Sequence, residues 1–288
     1  MEKFLEKYNL EIAEQQIVEI INSAKEKAKK IDTEAIRKCF NSIDLTTLNA
    51  TDTLTQAKQM AEKVSNFANV YRDLSNVAAI CVYPALINTV RKNLTDKNVN
   101  IASVSAGFPA SQTFVEVKIK ESFLAIENGA DEIDIVISLG RFLEKDYQFV
   151  YDEISEIKNA VGAKRVKVIL ETGAIKNLQL IRIASLIVME AGADYIKTST
   201  GKFYDCATPE AVCVMCQAIA DYKTQNNRMV GIKPSGGIIT TNDALIYYNV
   251  IKLTLGNAWL NNKFFRLGAS RLANNLLTDI VGLEAEYF

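Results

Sequence analysis

The chain has 288 residues, of which 49% are hydrophobic and 23% charged, as in an ordinary globular protein with a sizeable core. Its 33 lysines and arginines nearly balance 34 aspartates and glutamates, which argues against binding nucleic acids or anionic membranes through bulk charge. The sequence contains no histidine, so histidine-based triads and the usual histidine zinc sites are excluded. Acid–base chemistry must therefore come from aspartate, glutamate, lysine, tyrosine or cysteine.

The first 30 residues place apolar side chains at a helical spacing among many charges, with an interruption near residues 8–10. They lack the apolar segment of a secretory signal, and no stretch approaches the ~18 apolar residues of a membrane span. We therefore expect a cytoplasmic protein of one domain, in which residues 1–35 form a helical extension. The five cysteines are then expected to be reduced. Cys213 and Cys216 form a CxxC pattern in a predicted helix, which favours buried thiols over metal or redox chemistry.

From residue 40 onward, eight short apolar runs alternate with stretches of helical periodicity. The runs cover residues 40–45, 77–83, 100–106, 131–137, 165–171, 194–199, 229–234 and 264–269. Two of the helical stretches end in Gly-Ala, a C-terminal stop signal, and Thr208-Pro209 is a typical helix start. Eight strands alternating with helices predict an α/β fold, a (β/α)8 or TIM barrel with its core over residues 40–275. The alternative is a doubly wound open sheet, but no GxGxxG follows the first run.

Charged side chains occupy the inward positions of several predicted strands. Side chains of a barrel strand alternate between the interior and the surrounding helices, and the outward positions here are apolar. The inward positions hold Asp44, Asp134, Lys167, Lys197 and Lys233. Because burying charges is costly, we favour a catalytic cluster over the alternative, a structural ion-pair network. Close ammonium groups lower one another's pKa, and a neutral lysine amine can attack a carbonyl to form an imine, with Asp134 as proton shuttle.

Three loops rich in Gly, Ser and Thr follow the last three predicted strands. They contain Thr200-Gly201-Lys202, Ser235-Gly236-Gly237 and Gly268-Ala269-Ser270. Loops after strands seven and eight of such barrels often bind phosphate through backbone N–H groups, and glycine lets the backbone approach the anion. Although single glycine pairs are common in turns, three such loops at one edge predict an anion site beside the lysines.

These motifs together resemble those of the deoxyribose-phosphate aldolases. The matching segments, in the family order, are Ile43–Asn49, Ile80–Pro84, Gly129–Asp134, Lys167–Gly173, Ile196–Lys202, Lys233–Gly237 and Leu267–Ser270. The pairing of IKTSTGK with KPSGG is highly specific. The resemblance implies a class I aldolase without metal or organic cofactor. Its reaction would be the reversible cleavage of 2-deoxy-D-ribose 5-phosphate to acetaldehyde and D-glyceraldehyde 3-phosphate.

The resemblance also implies a role for each site residue. Lys197 would form the Schiff base, Lys233 would lower the pKa of Lys197, and Asp134 would relay protons. Lys167 would position Asp134. Asp44 and Cys81 would line the pocket near the substrate, although Cys81 also suits an ordinary core position. The remaining substrate-binding residues would be Thr200, Gly201, Lys202, Gly236, Gly237, Gly268 and Ser270.

Two features depart from the family pattern. Ile239 stands where the family commonly has an arginine. Because isoleucine carries no charge, this difference would weaken phosphate binding unless Arg271 compensates. Tyr287 is penultimate, whereas some members place a proton-transferring tyrosine at the terminus of a flexible tail; an ordinary exposed end is the alternative. The resemblance further implies a role in deoxyribonucleotide and carbohydrate catabolism and admits a homodimer. Two other functions stay open: a Schiff-base aldolase for a keto sugar phosphate, and a phosphate-binding barrel without catalysis.

Overall fold

Eight parallel strands occupy the apolar runs predicted from the sequence. The computed structural model describes residues 3–203 and 206–288, and each strand is three to five residues long. The strands are β1 (Ile43–Thr46), β2 (Ala79–Val82), β3 (Asn100–Val104), β4 (Glu132–Val136), β5 (Arg165–Ile169), β6 (Tyr195–Lys197), β7 (Gly231–Lys233) and β8 (Leu267–Ala269). Each overlaps the run predicted for it and is shorter than that run.

The strands form one sheet in the order β7–β6–β5–β4–β3–β2–β1–β8. Its two ends meet through two parallel bridges, one of them between Ser235 and Gly268, so the sheet closes on itself. The register sets Lys197 level with Lys233 on the neighbouring strand. The predicted barrel is therefore confirmed, and the open-sheet alternative is wrong.

Helices precede, connect and follow the strands. They are α1 (Glu14–Ala28), α2 (Thr33–Asn41), α3 (Leu54–Val70), α4 (Ile87–Asn93), α5 (Val115–Glu127), α6 (Leu139–Leu143), α7 (Tyr147–Val161), α8 (Thr172–Ile175), α9 (Leu178–Glu190), α10 (Pro209–Asn226), α11 (Thr241–Leu255) and α12 (Leu272–Val281). Alternate strand residues such as Ile133, Val166 and Ile196 pack against these helices in one buried core. None of the helices in residues 3–203 and 206–288 is long and apolar enough to cross a membrane.

Local sequence signals set several helix ends. α10 begins as predicted, with Pro209 in its first turn and the Thr208 hydroxyl accepting the backbone N–H of Ala211. α5 and α9 end shortly before Gly129 and Gly192, whose φ angles of +108° and +104° favour glycine. These stops lead directly into β4 and β6, the strands that carry two of the predicted site residues.

The N-terminal extension adds to the helical layer around the barrel. Its predicted interruption near residues 8–10 lies between a short 3-10 turn at residues 3–5 and α1. α1 packs on α10 and α11, and its residues Ile17, Ile21 and Ala24 are buried. α2 packs against α11 and α12 immediately before β1 begins. The extension thus covers the outside of the barrel, away from the inward-facing charges.

The interior of the barrel combines small apolar side chains with long charged ones. Ala79, Cys81, Ala102 and Val104 from β2 and β3 pack together with Leu48 in a cluster separate from the outer core. Small side chains occupy little volume, and this leaves space for the lysine and arginine side chains that enter from the other strands. The charged half of the interior is where the predicted site residues lie.

Candidate active site

The five charged residues predicted on inward positions meet inside the barrel. They are Asp44 on β1, Asp134 on β4, Lys167 on β5, Lys197 on β6 and Lys233 on β7. Each is at most 4% exposed to solvent. Because their strands run parallel around one barrel, side chains distant in sequence converge on one point.

Asp134 contacts all three lysines. Its Oδ1 accepts a hydrogen bond from Lys167 Nζ at 3.0 Å. Its Oδ2 accepts from both Lys197 Nζ at 2.8 Å and Lys233 Nζ at 2.7 Å. A carboxylate at hydrogen-bond distance from all three amines is placed to hold or move a proton at Lys197 Nζ.

Asp44 and Glu132 form a second layer of the cluster together with Arg266. Asp44 Oδ2 accepts from Lys233 at 2.5 Å and from Lys167 at 3.0 Å. Its Oδ1 accepts from Arg266 at 2.5 Å. Glu132 contacts Arg266 at 2.9 Å and Lys167 at 2.7 Å. Every charged group in this layer therefore has at least two partners of opposite charge.

Arg266 and Glu132 are not among the site residues predicted from the sequence. Arg266 lies between Phe265 and Leu267, which are buried in the outer core, so alternation alone directs it into the barrel. Glu132 shares the inward parity of Asp134 on β4. The alternation thus indicates the direction of both side chains, but not their partners across the barrel.

The three carboxylates of the cluster are charged at neutral pH. Burial alone would raise the pKa of Asp134, but the charges of Lys167, Lys197 and Lys233 outweigh burial and hold that pKa well below its ordinary value. Burial likewise opposes ionisation of Asp44, and its cationic partners again lower the pKa. The same balance brings the pKa of Glu132 to about 2.

The three lysines differ in how readily they lose a proton. Burial lowers the pKa of Lys197 below its ordinary value; Asp134 opposes this, and the charge on Lys233 acts with burial. Burial also disfavours charge on Lys167 and Lys233, but their carboxylate partners outweigh it and raise both pKa values. The neighbouring lysine predicted to depress the pKa of Lys197 is therefore one contribution, and burial is the larger. Lys197 is the amine that most readily becomes neutral, as a carbonyl nucleophile requires.

Lys197 also reaches a cavity at the carboxyl ends of the strands. The cavity has a volume of about 770 Å³. Its lining includes every predicted loop residue: Thr200, Gly201, Lys202, Gly236, Gly237, Gly268 and Ser270. The structure thus arranges the predicted imine lysine and the predicted phosphate loops around one space.

The loops after β6 and β7 form one wall of this cavity. Gly236 and Gly237 have φ angles of +85° and +71°, in the left-handed region that favours glycine. A Cβ on Gly236 would lie 2.9 Å from Sγ of Cys206, too close for a side chain without movement. Lys202 Nζ donates to the backbone carbonyl of Leu48, which joins the loop after β6 to the loop after β1. Backbone rather than bulky side chains therefore forms this wall.

Glu171 holds the loop after β6 and is a further residue not predicted for the site. Its carboxylate is 2% exposed and accepts the N–H of Thr200 at 3.1 Å and the hydroxyl of Thr200 at 2.6 Å. Glu171 has a φ of +57°, a costly conformation for a residue with a Cβ. The sequence carries no signal for this backbone conformation, because glutamate seldom adopts it.

Ile239 and Arg271 both line the cavity. Ile239 is 44% exposed and supplies no positive charge there. Arg271 follows Ser270 and directly precedes α12. A guanidinium is thus present at the cavity, and its compensation for Ile239 stays a prediction.

Asp44 and Cys81 are not part of the cavity lining. Asp44 lies beneath it, engaged by Lys167, Lys233 and Arg266. Cys81 is fully buried, and burial raises the pKa of its thiol. Their predicted contact with substrate stays a prediction.

Tyr287 packs on α3 at the side of the cavity. Its hydroxyl donates to the backbone carbonyl of Lys63 at 2.7 Å, and its ring lies against Phe67 and Tyr71. The neighbouring Phe288 lines the cavity. A role for Tyr287 in proton transfer stays a prediction.

The cysteine pair on α10 is buried. Cys213 and Cys216 are buried thiols, as expected for the CxxC pattern in a helix. Within residues 3–203 and 206–288, no group of three or more histidine, cysteine, aspartate or glutamate side chains has the arrangement of a metal site.

Comparisons with known proteins confirm the resemblance drawn from the motifs. A family model described as DeoC/LacD family aldolase matches residues 39–250. A Caenorhabditis elegans protein is 41% identical over 270 residues, which covers 92% of this chain and 88% of that relative. The human protein named deoxyribose-phosphate aldolase is 38% identical over 253 residues, covering 84% of this chain and 80% of its own. A crystal structure from Toxoplasma gondii ME49 shares the fold, with a TM-score of 0.78 at 21% identity over 87% of this chain and 95% of that chain.

Proposed function

Because this chain belongs to the DeoC/LacD family of aldolases, we propose that it cleaves 2-deoxy-D-ribose 5-phosphate reversibly to acetaldehyde and D-glyceraldehyde 3-phosphate. The observation that carries the proposal is the setting of Lys197, a buried amine with a lowered pKa between Asp134 and an open cavity. Such an amine forms an imine with an aldehyde, and the imine makes cleavage of a neighbouring carbon–carbon bond accessible.

The reaction begins when the neutral amine of Lys197 attacks the aldehyde carbon, C1, of the open-chain sugar. A proton moves from the new C–N nitrogen to the C1 oxygen, with Asp134 as the relay. The C1 hydroxyl then takes up one further proton from solvent and leaves as water, while the nitrogen lone pair completes the C=N bond of a protonated imine; hydrolysis of the last iminium returns this proton to solvent. The charge of Asp134, 2.8 Å from Lys197 Nζ, stabilises this cation.

The second half of the reaction breaks the C2–C3 bond. The C3 hydroxyl loses its proton and becomes the carbonyl of glyceraldehyde 3-phosphate, while the C2–C3 electron pair moves into the iminium to give an enamine. Protonation of the enamine at C2 restores the iminium, and water releases acetaldehyde and free Lys197. The proton lost at C3 equals the one gained at C2. Asp134, which contacts Lys167 and Lys233 as well, is the group that returns this proton.

The cavity wall supports a phosphorylated substrate. Backbone from Gly236 and Gly237 lies beside Ser270 and the N-terminal end of α12, which favours an anion. Lys202 and Arg271 add positive charge to the same lining. The phosphate would thus be bound at the mouth while C1 reaches Lys197 at the base.

Reductive trapping tests this function. The purified chain is treated with acetaldehyde and sodium borohydride, and the product is analysed by intact mass and peptide mapping. We expect one two-carbon adduct on Lys197, and neither adduct nor turnover in Lys197→Ala. Cleavage of 2-deoxy-D-ribose 5-phosphate, compared with that of keto sugar phosphates, then identifies the substrate.

Each contrary result would have a distinct meaning. A folded chain that forms no adduct contradicts the aldolase proposal and indicates a phosphate-binding barrel without catalysis. An adduct mainly on Lys233 or Lys167 means that the site is correct and the reactive lysine is not. Near-normal turnover in Lys197→Ala contradicts the imine mechanism.

Location and assembly belong to the same proposal. We expect a cytoplasmic enzyme of deoxyribonucleotide and carbohydrate catabolism, because its substrate is a sugar phosphate. A homodimer is expected by family analogy, and light scattering on the purified chain distinguishes it from a monomer.

A further inference from the structure

The buried cluster holds more basic groups than carboxylates. Counted over residues 3–203 and 206–288, its carboxylates belong to Asp44, Glu132 and Asp134, and its basic groups to Lys167, Lys197, Lys233 and Arg266. Arg165 also contacts Glu132, at 2.8 Å, but its side chain is 38% exposed and solvated. An uncompensated positive charge in a water-poor interior is unfavourable, so the loss of one proton lowers the free energy of the cluster.

The contacts indicate which group loses that proton. Lys167 contacts all three carboxylates, and Lys233 and Arg266 contact two each. Among the residues that the structure describes, Lys197 contacts one carboxylate, Asp134, and shares that oxygen with Lys233. Arginine retains its proton in proteins. The group with the fewest partners is therefore Lys197.

We propose that Arg266 and Glu132 are positioning residues that set the charge balance of this cluster in opposite directions, Arg266 favouring and Glu132 opposing the neutral amine of Lys197, although neither contacts it. This inference rests on the proposed function, in which a neutral Lys197 attacks the substrate. Arg266 supplies the fourth positive charge, and its planar guanidinium contacts Asp44 at 2.5 Å and Glu132 at 3.2 and 2.9 Å. Glu132 supplies the third negative charge and so limits the excess to one.

The groups around these residues determine the sign of the effect. Lys197 is faced by Asp134 on β4, Lys233 on β7 and Cys81 on β2. Arg266 is faced by Asp44 on β1, Glu132 on β4, Tyr195 on β6 and Lys167 on β5. Burial raises the pKa of both the Cys81 thiol and the Tyr195 hydroxyl, so both are neutral at neutral pH. Only the carboxylates, the lysines and the arginine then enter the balance.

Three variants change the balance by known amounts. Arg266→Met removes one positive charge, Glu132→Gln removes one negative charge with little change of shape, and the double variant restores the original excess. The readout is the rate at which cyanoborohydride traps acetaldehyde on the protein, measured as a function of pH. Acetaldehyde does not titrate, so the fall of this rate toward acidic pH, its acid limb, reports the protonation of Lys197. We expect the limb to move up by about one pH unit in Arg266→Met and down by about one pH unit in Glu132→Gln. The double variant should return close to the wild-type limb.

Circular dichroism first establishes which variants are folded. A folded single variant whose acid limb coincides with that of the wild type overturns the inference, as does an equal loss of rate at every pH, which a purely structural role would give. If Arg266→Met does not fold, the downward shift in Glu132→Gln decides alone. Absence of trapping in the wild-type chain contradicts the proposed function instead, so the two failures are distinguishable.

Discussion

Lys197 and Lys233 share a single oxygen atom: both amines lie within hydrogen-bond distance of Oδ2 of Asp134, at 2.8 Å and 2.7 Å. Lys233 has a second carboxylate in Asp44, at 2.5 Å, whereas Asp134 is the one carboxylate that contacts Lys197 within residues 3–203 and 206–288. Two ammonium groups that compete for one oxygen disfavour each other's charge, and the better-partnered one keeps its proton. This asymmetry is what the proposed role of Lys197 as nucleophile requires, and it leaves Lys233 as the amine that keeps its proton.

Replacing Lys233 by leucine should therefore slow catalysis by raising the pKa of Lys197. Without the competing charge, Asp134 holds Lys197 as an ammonium ion, and its pKa moves back toward the ordinary value of about 10.4. We expect kcat at pH 7 to fall by about a hundredfold and the acid limb of the rate to move to higher pH.

The matched control for Lys233→Leu is Lys118→Leu, because Lys118 is a buried lysine paired with Glu153 outside the site. Both variants lose a buried ion pair, but only Lys233→Leu should move the acid limb. A limb that stays in place in folded Lys233→Leu would contradict the role of Lys233 as the competing cation.

The strands and the inward-facing lysines could be predicted because alternation is a local property of a barrel strand. Lys167 and Asp134 are level in the register between β5 and β4, as their shared parity requires. Arg266 follows the same rule, yet nothing near it in sequence indicates that its partners are Asp44 and Glu132, from strands more than 130 residues away. Partners across a closed barrel depend on the stagger of all eight strands, which no single segment encodes.

The supports of the cavity wall were less predictable, because they depend on individual backbone angles. Glu171 has a φ of +57°, and in this conformation its carboxylate accepts both hydrogen bonds from Thr200. The predicted run also overestimates the length of β6. The strand ends at Lys197, and the side chain of the next residue, Thr198, exchanges hydrogen bonds with the backbone of Ser235. Such contacts between adjacent loops arise only once the barrel has closed.

Ile239→Arg should tighten binding of the phosphorylated substrate. Ile239 lines the cavity and is 44% exposed, so an arginine there has space and lies near the proposed phosphate position. We expect KM for 2-deoxy-D-ribose 5-phosphate to fall by about threefold to tenfold, with little change for unphosphorylated 2-deoxyribose. Steady-state kinetics with both sugars measure the difference.

The control for this variant is Leu253→Arg. Leu253 is also exposed and apolar, but it lies on α11 and outside the cavity lining, so the variant adds the same charge away from the cavity. An equal fall of KM in both variants would indicate a general field effect. An unchanged or higher KM in Ile239→Arg would show that this position does not reach the phosphate.

Glu171→Gln should weaken phosphate binding while leaving imine formation intact. The glutamine amide has one acceptor oxygen where the carboxylate has two, so one of the hydrogen bonds from Thr200 is lost and the loop after β6 loosens. We expect KM for the phosphorylated sugar to rise by about tenfold, equivalent to about 1.4 kcal/mol. Trapping of acetaldehyde on Lys197 should proceed at nearly the wild-type rate.

A double-mutant cycle with Thr200→Val tests whether Glu171 acts through Thr200. If it does, Glu171→Gln adds little in the Thr200→Val background. Additive losses, or an equal rise of KM for phosphorylated and unphosphorylated sugars, would refute this role.

Gly231 lies against the ring of Tyr195, and this contact should make Gly231→Ala destabilising. A Cβ on Gly231 would come within 2.3 Å of the Tyr195 ring, which is buried and cannot move aside freely. We expect the free energy of unfolding to fall by about 1–3 kcal/mol in urea denaturation, the range for overpacked cores. Gly140→Ala is the matched control, because its nearest neighbour would be 3.6 Å away and its helical position favours alanine. The double variant Gly231→Ala/Tyr195→Leu should lose less stability than the sum of the losses in the two single variants. Wild-type stability in Gly231→Ala alone would show that the barrel adjusts around Tyr195 at no cost.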